Sequence, residues 1–214
     1  MREVEVKYSV SDPEVLLTAL GQRGVSFGAP AFQDDQAFAP LGWAFGDSKL
    51  GVSFLRLRTV DGQHWFALKQ PGVNAQDCLE YETEVADRGQ MHEAILRMGY
   101  RATVRVAKSR RTGRFGEVSL CLDQVEGVGT FLELERMVPD ETPATAVQDE
   151  LAGFVTSLGV AVERTTETYD SLVRAAQTTA ATVPASRESV DSPARRSLPH
   201  VADPLPSVGD DPRR

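Results

Sequence analysis

Seven segments of this chain alternate apolar with ionisable residues, and that alternation limits the folds open to it more than any other feature. In an extended strand successive side chains point to opposite faces. One face then reads Val4, Val6, Tyr8; Leu55, Leu57; Phe66, Leu68; Val118, Leu120, Leu122; Leu132, Leu134. The other reads Glu3, Glu5, Lys7; Arg56, Arg58; Lys69; Glu80, Glu82, Glu84; Lys108, Arg110; Asp123; Glu133, Glu135, which is eight acids and six bases.

A flat antiparallel sheet with its polar side in water would satisfy each segment taken singly. The grouping argues otherwise. Like charges recur at i, i+2, about 7 Å apart on one face, in Glu3 with Glu5, Glu133 with Glu135, Arg56 with Arg58 and Lys108 with Arg110. Strand-like stretches occur near residues 2–9, 31–39, 53–60, 63–70, 79–86, 102–112, 115–124 and 130–138, and eight strands are the number that closes into a barrel holding one small ligand. If the apolar faces point outward under helices, the charged faces line the lumen. Two unit charges 4 Å apart interact by about 4 kcal/mol at an effective dielectric of about 20, against a domain stability of roughly 5–15 kcal/mol. Crowded carboxylates there must take up protons or cations. Oxygen ligands suit Mg²⁺ or Mn²⁺, and paired Lys and Arg suit the several phosphates of a polyanion.

Three helices are marked by their ends. Asp12-Pro13 and Thr142-Pro143 place a capping side chain before a proline at the first helical position, and Asp87 caps a third helix. Gly24, Gly99 and Gly159 end them, and a short fourth helix is expected from Thr168 to about Arg174. Asp61-Gly62 and Thr112-Gly113-Arg114 read as hairpin turns. The order strand, helix, three strands occurs twice, so the expected architecture is α+β, an eight-stranded antiparallel β-barrel with amphipathic helices packed outside, built from two βαβββ halves.

The chain has 214 residues, 31 acidic against 23 basic, and a net charge of −8. That balance argues against coating duplex nucleic acid, which needs clustered Lys and Arg. No apolar run approaches the ~20 residues that span a bilayer, and the start has no apolar signal segment, so a cytoplasmic, membrane-free protein is expected. Residues 176–214 hold six of the twelve prolines and no aromatic residue. They are expected to form a disordered tail after a domain of residues 1–175. Cys78 and Cys121 lack metal or redox spacing and are expected to be reduced structural thiols, and His64, His92 and His200 are too dispersed to form a metal cluster. Trp43, Phe38 and Phe45 flank or lie in a Gly- and Pro-containing connection that either folds over a tunnel mouth or packs on the rim. Gly127-Val-Gly129 has no helix after it and turns the chain rather than cradling a dinucleotide.

Together these motifs resemble the CYTH superfamily, the triphosphate tunnel metalloenzymes. Glu3-Val-Glu-Val-Lys7 is similar to its N-terminal ExExK pattern. Leu55-Arg-Leu-Arg58, Phe66-Ala-Leu-Lys69, Glu80-Tyr-Glu-Thr-Glu84, Lys108-Ser-Arg110, Leu122-Asp123, Gly129 to Glu135 and Thr168-Tyr169 follow in order. The likeness covers residues 1 to about 173, and the stretch from Gln33-Asp34-Asp35 through Ser48 to Ser53 looks most like the bacterial class IV adenylate cyclase branch. The resemblance implies that Glu3, Glu5, Asp123, Glu133 and Glu135 serve Mg²⁺ or Mn²⁺, and that Lys7, Arg56, Arg58, Lys69, Lys108 and Arg110 bind a small-molecule triphosphate such as ATP or inorganic triphosphate. Lys7, Arg110 and Glu133 are assigned to catalysis. Glu82 and Glu84 align less closely.

The expected activity is a cyclase reaction, ATP to cyclic AMP and pyrophosphate. The alternatives are an inorganic or organic triphosphatase releasing orthophosphate, a non-catalytic polyphosphate or nucleotide binding module, and a flat sheet with an interaction role. Homodimerisation stays open.

Overall fold

The computed structural model describes residues 1–182. In chain order its elements are β1 (Arg2–Val10), α1 (Pro13–Gln22), β2 (Ala31–Pro40), β3 (Phe54–Val60), β4 (Gln63–Pro71), β5 (Asp77–Val85), α2 (Arg88–Arg97), β6 (Tyr100–Phe115), β7 (Val118–Val125), β8 (Gly129–Val138), α3 (Ala144–Ser157), β9 (Val162–Thr165) and α4 (Tyr169–Thr182). The two βαβββ halves stand in this order. Hydrogen-bonded neighbours run β5-β4-β3-β2-β6-β7-β8-β1, and β1 pairs back to β5, which closes an antiparallel eight-stranded barrel. Closure is over a short stretch, Arg2–Val4 of β1 with Asp77–Leu79 of β5; β9, a strand absent from the sequence expectation, takes up the rest of that edge of β1 at Lys7–Val10, while β5 beyond Leu79 is paired with β4 alone among the described residues.

The apolar faces point outward, as the alternation requires. Val4, Val6, Leu120, Leu122, Leu132 and Leu134 meet Leu16 and Leu20 of α1 and Val147, Leu151 and Val155 of α3 in one cluster. Phe38, Leu55 and Leu57 meet Ile95 of α2 in another. Burying each large side chain contributes roughly 1.5–3 kcal/mol, so the helices fix which face of each strand is left for the lumen. Asp12 accepts from the Val15 amide and Asp87 from the Gln90 amide, as expected of caps.

Several local expectations are corrected. Pro143 is extended (φ −61°, ψ 114°), so α3 starts at Ala144 without a side-chain cap, and Thr142 gives its carbonyl to Arg2 instead. Gly113 is no turn. β6 runs on to Phe115 and the chain reverses at Gly116, where φ is 58°. At Gly113 the segment before β2 crosses so closely that an added Cβ would lie 2.9 Å from the Ser26 carbonyl. The fourth helix continues to Thr182, past the expected boundary at 175, and residues 183–214 of the expected tail lie outside the described residues, as does His200. Unlike the other helices, α4 lies across one end of the barrel. Its Tyr169, Leu172 and Val173 pack on Val104, Val106, Val125 and Phe131, of which the last three continue the inward faces of Lys108, Asp123 and Glu133. Among the described residues no helix is long and apolar enough to cross a membrane.

Candidate active site

The barrel encloses a cavity of about 200 Å³ lined by Glu3, Glu5, Lys7, Arg56, Arg58, Lys69, Lys108, Arg110, Glu133 and Glu135. Ten of the eleven residues expected at the site therefore share one lumen. Asp123, the eleventh, is fully buried in its wall. Strand register explains the convergence. Glu5 lies opposite Glu135 and Lys7 opposite Glu133 across β1 and β8, while Arg110 lies opposite Asp123 across β6 and β7.

The carboxylates divide into two groups. Glu5, Glu133 and Glu135 each present an oxygen within 4.8 Å of the others. Glu3 instead pairs with Lys69 at 3.0 Å. Asp123 accepts from Lys108 at 3.0 Å and from Arg110 Nε at 2.7 Å. Three of the five residues expected to hold metal are thus gathered, with Lys7 and Arg110 against them, while Glu3 and Asp123 lie outside the cluster on bases of their own. Burial, reinforced by the charges of Glu3 and Glu133, pushes Glu135 up to about 8 despite Arg110 nearby. Burial likewise raises Glu5, with Lys7 opposing and Glu133 and Glu3 reinforcing. Glu133 goes the other way: burial would raise it, but Lys7, Arg110 and Lys108 outweigh that and hold it well below the usual carboxylate range. A buried, oxygen-only cluster that cannot comfortably carry its full negative charge fits a hard divalent cation.

Every expected base is paired with a carboxylate. Lys7 lies 3.1 Å from Glu133 and 3.6 Å from Glu5. Arg56 contacts Glu80 at 3.2 Å and Glu82 at 2.6 Å, and Lys69 reaches Glu80 at 2.7 Å. Arg110 also contacts Glu133 and, at 3.7 Å, Glu135. Glu84 is exposed. These pairings let the bases remain charged in a low-dielectric lumen, and a polyanion can take the place of the carboxylates.

Three residues matter here that the alternation did not find. Asp35 of β2 forms a two-pronged ion pair with Arg58, with both contacts at 2.7 Å. Its strand carries no like-charge pair, and Asp34 beside it is equally acidic, so its face was not readable. Tyr169, matched above only as a motif residue, sets its ring 4.2 Å from the Lys7 ammonium and 4.6 Å from that of Lys108, within cation–π range. Lys49, in the connection between β2 and β3, donates to Thr168 Oγ1 at 2.6 Å and Ser171 Oγ at 3.0 Å and pairs with Asp170 at 3.2 Å. No strand pattern could find a loop lysine. The same connection carries Trp43, which borders the lumen and packs edge-on against Phe45 and Phe54; Phe38, on β2, borders the lumen too and is fully buried in the cluster with Leu55, Leu57 and Ile95.

Cys78 and Cys121 are free and buried. Burial pushes the Cys78 thiol up to about 12 and raises Cys121 as well, which leaves both as inert thiols. His64 bonds Thr59 and His92 packs edge-on to Phe38, away from the cluster.

The CYTH domain model matches residues 1–169. A Methanocaldococcus jannaschii protein provisionally named an adenylate cyclase is 26% identical over 162 residues, 75% of this chain and 91% of its own length. The adenylate cyclase CyaB of Aeromonas hydrophila is 24% identical over 173 residues, 79% of this chain and 87% of its own. A solved Hippeastrum structure, described as an adenylyl cyclase candidate with a dominant triphosphatase activity, has a TM-score of 0.54 at 20% identity and covers 82% of this chain and 96% of its own.

Proposed function

This chain belongs to the CYTH family, and on that premise we propose that its tunnel is a metal-dependent catalytic site acting on a triphosphate, with ATP converted to cyclic AMP and pyrophosphate as the leading reaction. The observation that carries the proposal is the meeting, in one lumen, of a three-carboxylate cluster with six bases whose partners are exchangeable acids. A substrate carrying several phosphates supplies what those bases would lose on leaving Glu3, Asp35, Glu80 and Asp123. Arg56, Arg58, Lys69 and Lys108 are its binding residues.

Glu5, Glu133 and Glu135 would hold the divalent cation, with Glu3 and Asp123 joining as their bases turn to phosphate. When bound, Mg²⁺ or Mn²⁺ supplies neutralisation of charge on the leaving phosphates. Lys7 and Arg110 flank Glu133, and they would neutralise the charge spreading over the reacting phosphoryl group. In the cyclase reaction the ribose 3′-hydroxyl loses its proton and its oxygen bonds to the α-phosphorus. The bond from that phosphorus to the oxygen bridging the β-phosphate then breaks, releasing pyrophosphate.

Hydrolysis is the second reading, favoured by the Hippeastrum relative, and it uses the same residues with water as nucleophile. Product identification after incubation with ATP distinguishes them. Cyclic AMP with pyrophosphate supports the cyclase, orthophosphate with ADP the triphosphatase, and no product with any triphosphate overturns both.

A further inference from the structure

β1 is paired along both edges, but on one of them its partner changes. β8 runs beside it from Arg2 to Ser9. On the other edge β5 pairs with Arg2–Val4 and β9 with Lys7–Val10, and Glu5 falls between the two. Carried on by one residue, the β5 register sets Glu5 against Gln76. A hydrogen-bonded antiparallel pair exchanges two bonds, and this pair makes one: the Glu5 amide donates to the Gln76 carbonyl at 2.9 Å. The Gln76 amide turns to Asn74 Oδ1, at 2.9 Å. The Glu5 carbonyl is taken up from outside the barrel instead, by Gln148 Nε2 of α3 at 3.2 Å.

Gln148 is the one polar residue on the buried face of α3, beside Ala144, Val147, Leu151 and Val155. Its amide is oriented by Asn74. Asn74 Nδ2 donates to Gln148 Oε1 at 3.1 Å, and Gln148 Nε2 donates to Asn74 Oδ1 at 3.2 Å and, more weakly, to the Gln76 carbonyl at 3.4 Å. Gln76 Nε2 in turn donates to the Thr165 carbonyl at 3.0 Å, at the end of β9. Three side-chain amides thus bridge β5 to β9 across the place where neither strand reaches. That place is Glu5, a member of the carboxylate cluster.

The Glu5 carboxylate stands against the like charges of Glu133 and Glu3. Repulsion drives it out of the cluster unless the backbone beneath it is held, and a buried carbonyl without a donor shifts until it finds one. We infer that Gln148 is a positioning residue for the divalent cation: its amide replaces the missing ladder bond and fixes where β1 sets the Glu5 carboxylate beside Glu133 and Glu135. This rests on the metal site of the proposed function and deepens it. Neither Gln148 nor Asn74 is among the residues that line the cavity. Arg56, Arg58, Lys69 and Lys108 take their partners from Glu3, Asp35, Glu80, Glu82 and Asp123. The amide network therefore governs the cation and leaves the anion-binding side alone.

The test measures cation and anion separately. Free Mn²⁺ is followed by electron paramagnetic resonance, and the methylene-bridged, non-cleavable analogue of inorganic triphosphate is titrated calorimetrically in EDTA. Gln148→Met keeps the volume and removes the donor. Groups that orient metal ligands are worth about 10–100-fold in affinity, so it should weaken Mn²⁺ by about tenfold or more and leave the anion within about threefold. With ATP, the Mn²⁺ concentration for half-maximal rate should rise by the same factor, with kcat at saturating Mn²⁺ within about threefold of wild type. Asn74→Ala releases the Gln148 amide without touching β1 and should weaken Mn²⁺ by about threefold or more; it decides the matter if Gln148→Met does not fold. A Gln148→Met protein with wild-type circular dichroism that binds Mn²⁺ within about threefold of wild type, or that loses both ligands equally, would overturn the inference. Wild type that binds no Mn²⁺ would instead overturn the metal reading beneath it.

Discussion

Arg58 and Asp35 face each other across β3 and β2, joined Nε to Oδ1 and Nη2 to Oδ2 at 2.7 Å each. Both side chains are buried to about nine-tenths. Burial would raise the Asp35 carboxyl, but the hydrogen bond and charge of Arg58 outweigh it and hold it at about 2. Its folded pKa lies below the unfolded value near 3.9, so the pair's contribution is fully present above about pH 4 and is lost as pH falls through 2. Asp35→Asn should cost about 2 kcal/mol or more at pH 7, because it leaves Arg58 buried without a counter-charge. Denaturant titrations from pH 7 to pH 2 should show the difference from wild type shrinking over the last two units. A constant difference would contradict the assignment.

The carboxylate cluster links metal uptake to protons. Glu135, pushed up to about 8 by burial and by the Glu3 and Glu133 charges, is protonated at pH 7 and ionised well above 8. A cation needs it ionised, so binding Mg²⁺ or Mn²⁺ at pH 7 should release about one proton and at pH 9.5 almost none. Calorimetry in buffers of different ionisation enthalpy measures this directly.

Removing one member of the cluster relieves repulsion at the expense of metal. Glu5→Gln and Glu135→Gln should leave the melting temperature of the metal-free protein unchanged or raised. They should also abolish the stabilisation that wild type gains from Mn²⁺, and metal-dependent turnover with it. A variant that melts much lower without metal would show the carboxylate to be structural.

Tyr169 serves Lys7 and Lys108 through its ring. The phenol is kept protonated, first by burial and then by the Glu133 and Asp123 charges, so the hydroxyl adds no charge of its own. Each cation–π contact is worth roughly 0.5–2 kcal/mol. Tyr169→Phe should retain kcat/KM for triphosphate within about threefold, and Tyr169→Leu should lose about tenfold. Equal losses would shift the role from the ring to the hydroxyl.

The fold was legible because one rule, alternation, acts on every strand. Val4, Val6 and Leu134 had to face helices, which left Glu3, Glu5 and Glu135 for the lumen. The same rule assembled most of the site without any knowledge of register. What it could not supply was pairing. That Asp123 is held by Lys108 and Arg110, and Glu3 by Lys69, depends on which strands neighbour across the ring. Gly113 was misread because a glycine required for close approach looks the same in sequence as one required for a turn. Lys49 and Trp43 lie on a connection, where no periodicity constrains a side chain.

The most direct test of the tunnel as a metal-dependent catalyst is the consumption of ATP by the purified protein, with Mg²⁺ or Mn²⁺ and again after chelation with EDTA. The predicted result is loss of ATP with equal amounts of cyclic AMP and pyrophosphate when metal is present, and no turnover after chelation. Turnover that survives chelation, or no consumption of any triphosphate with either metal, would contradict it.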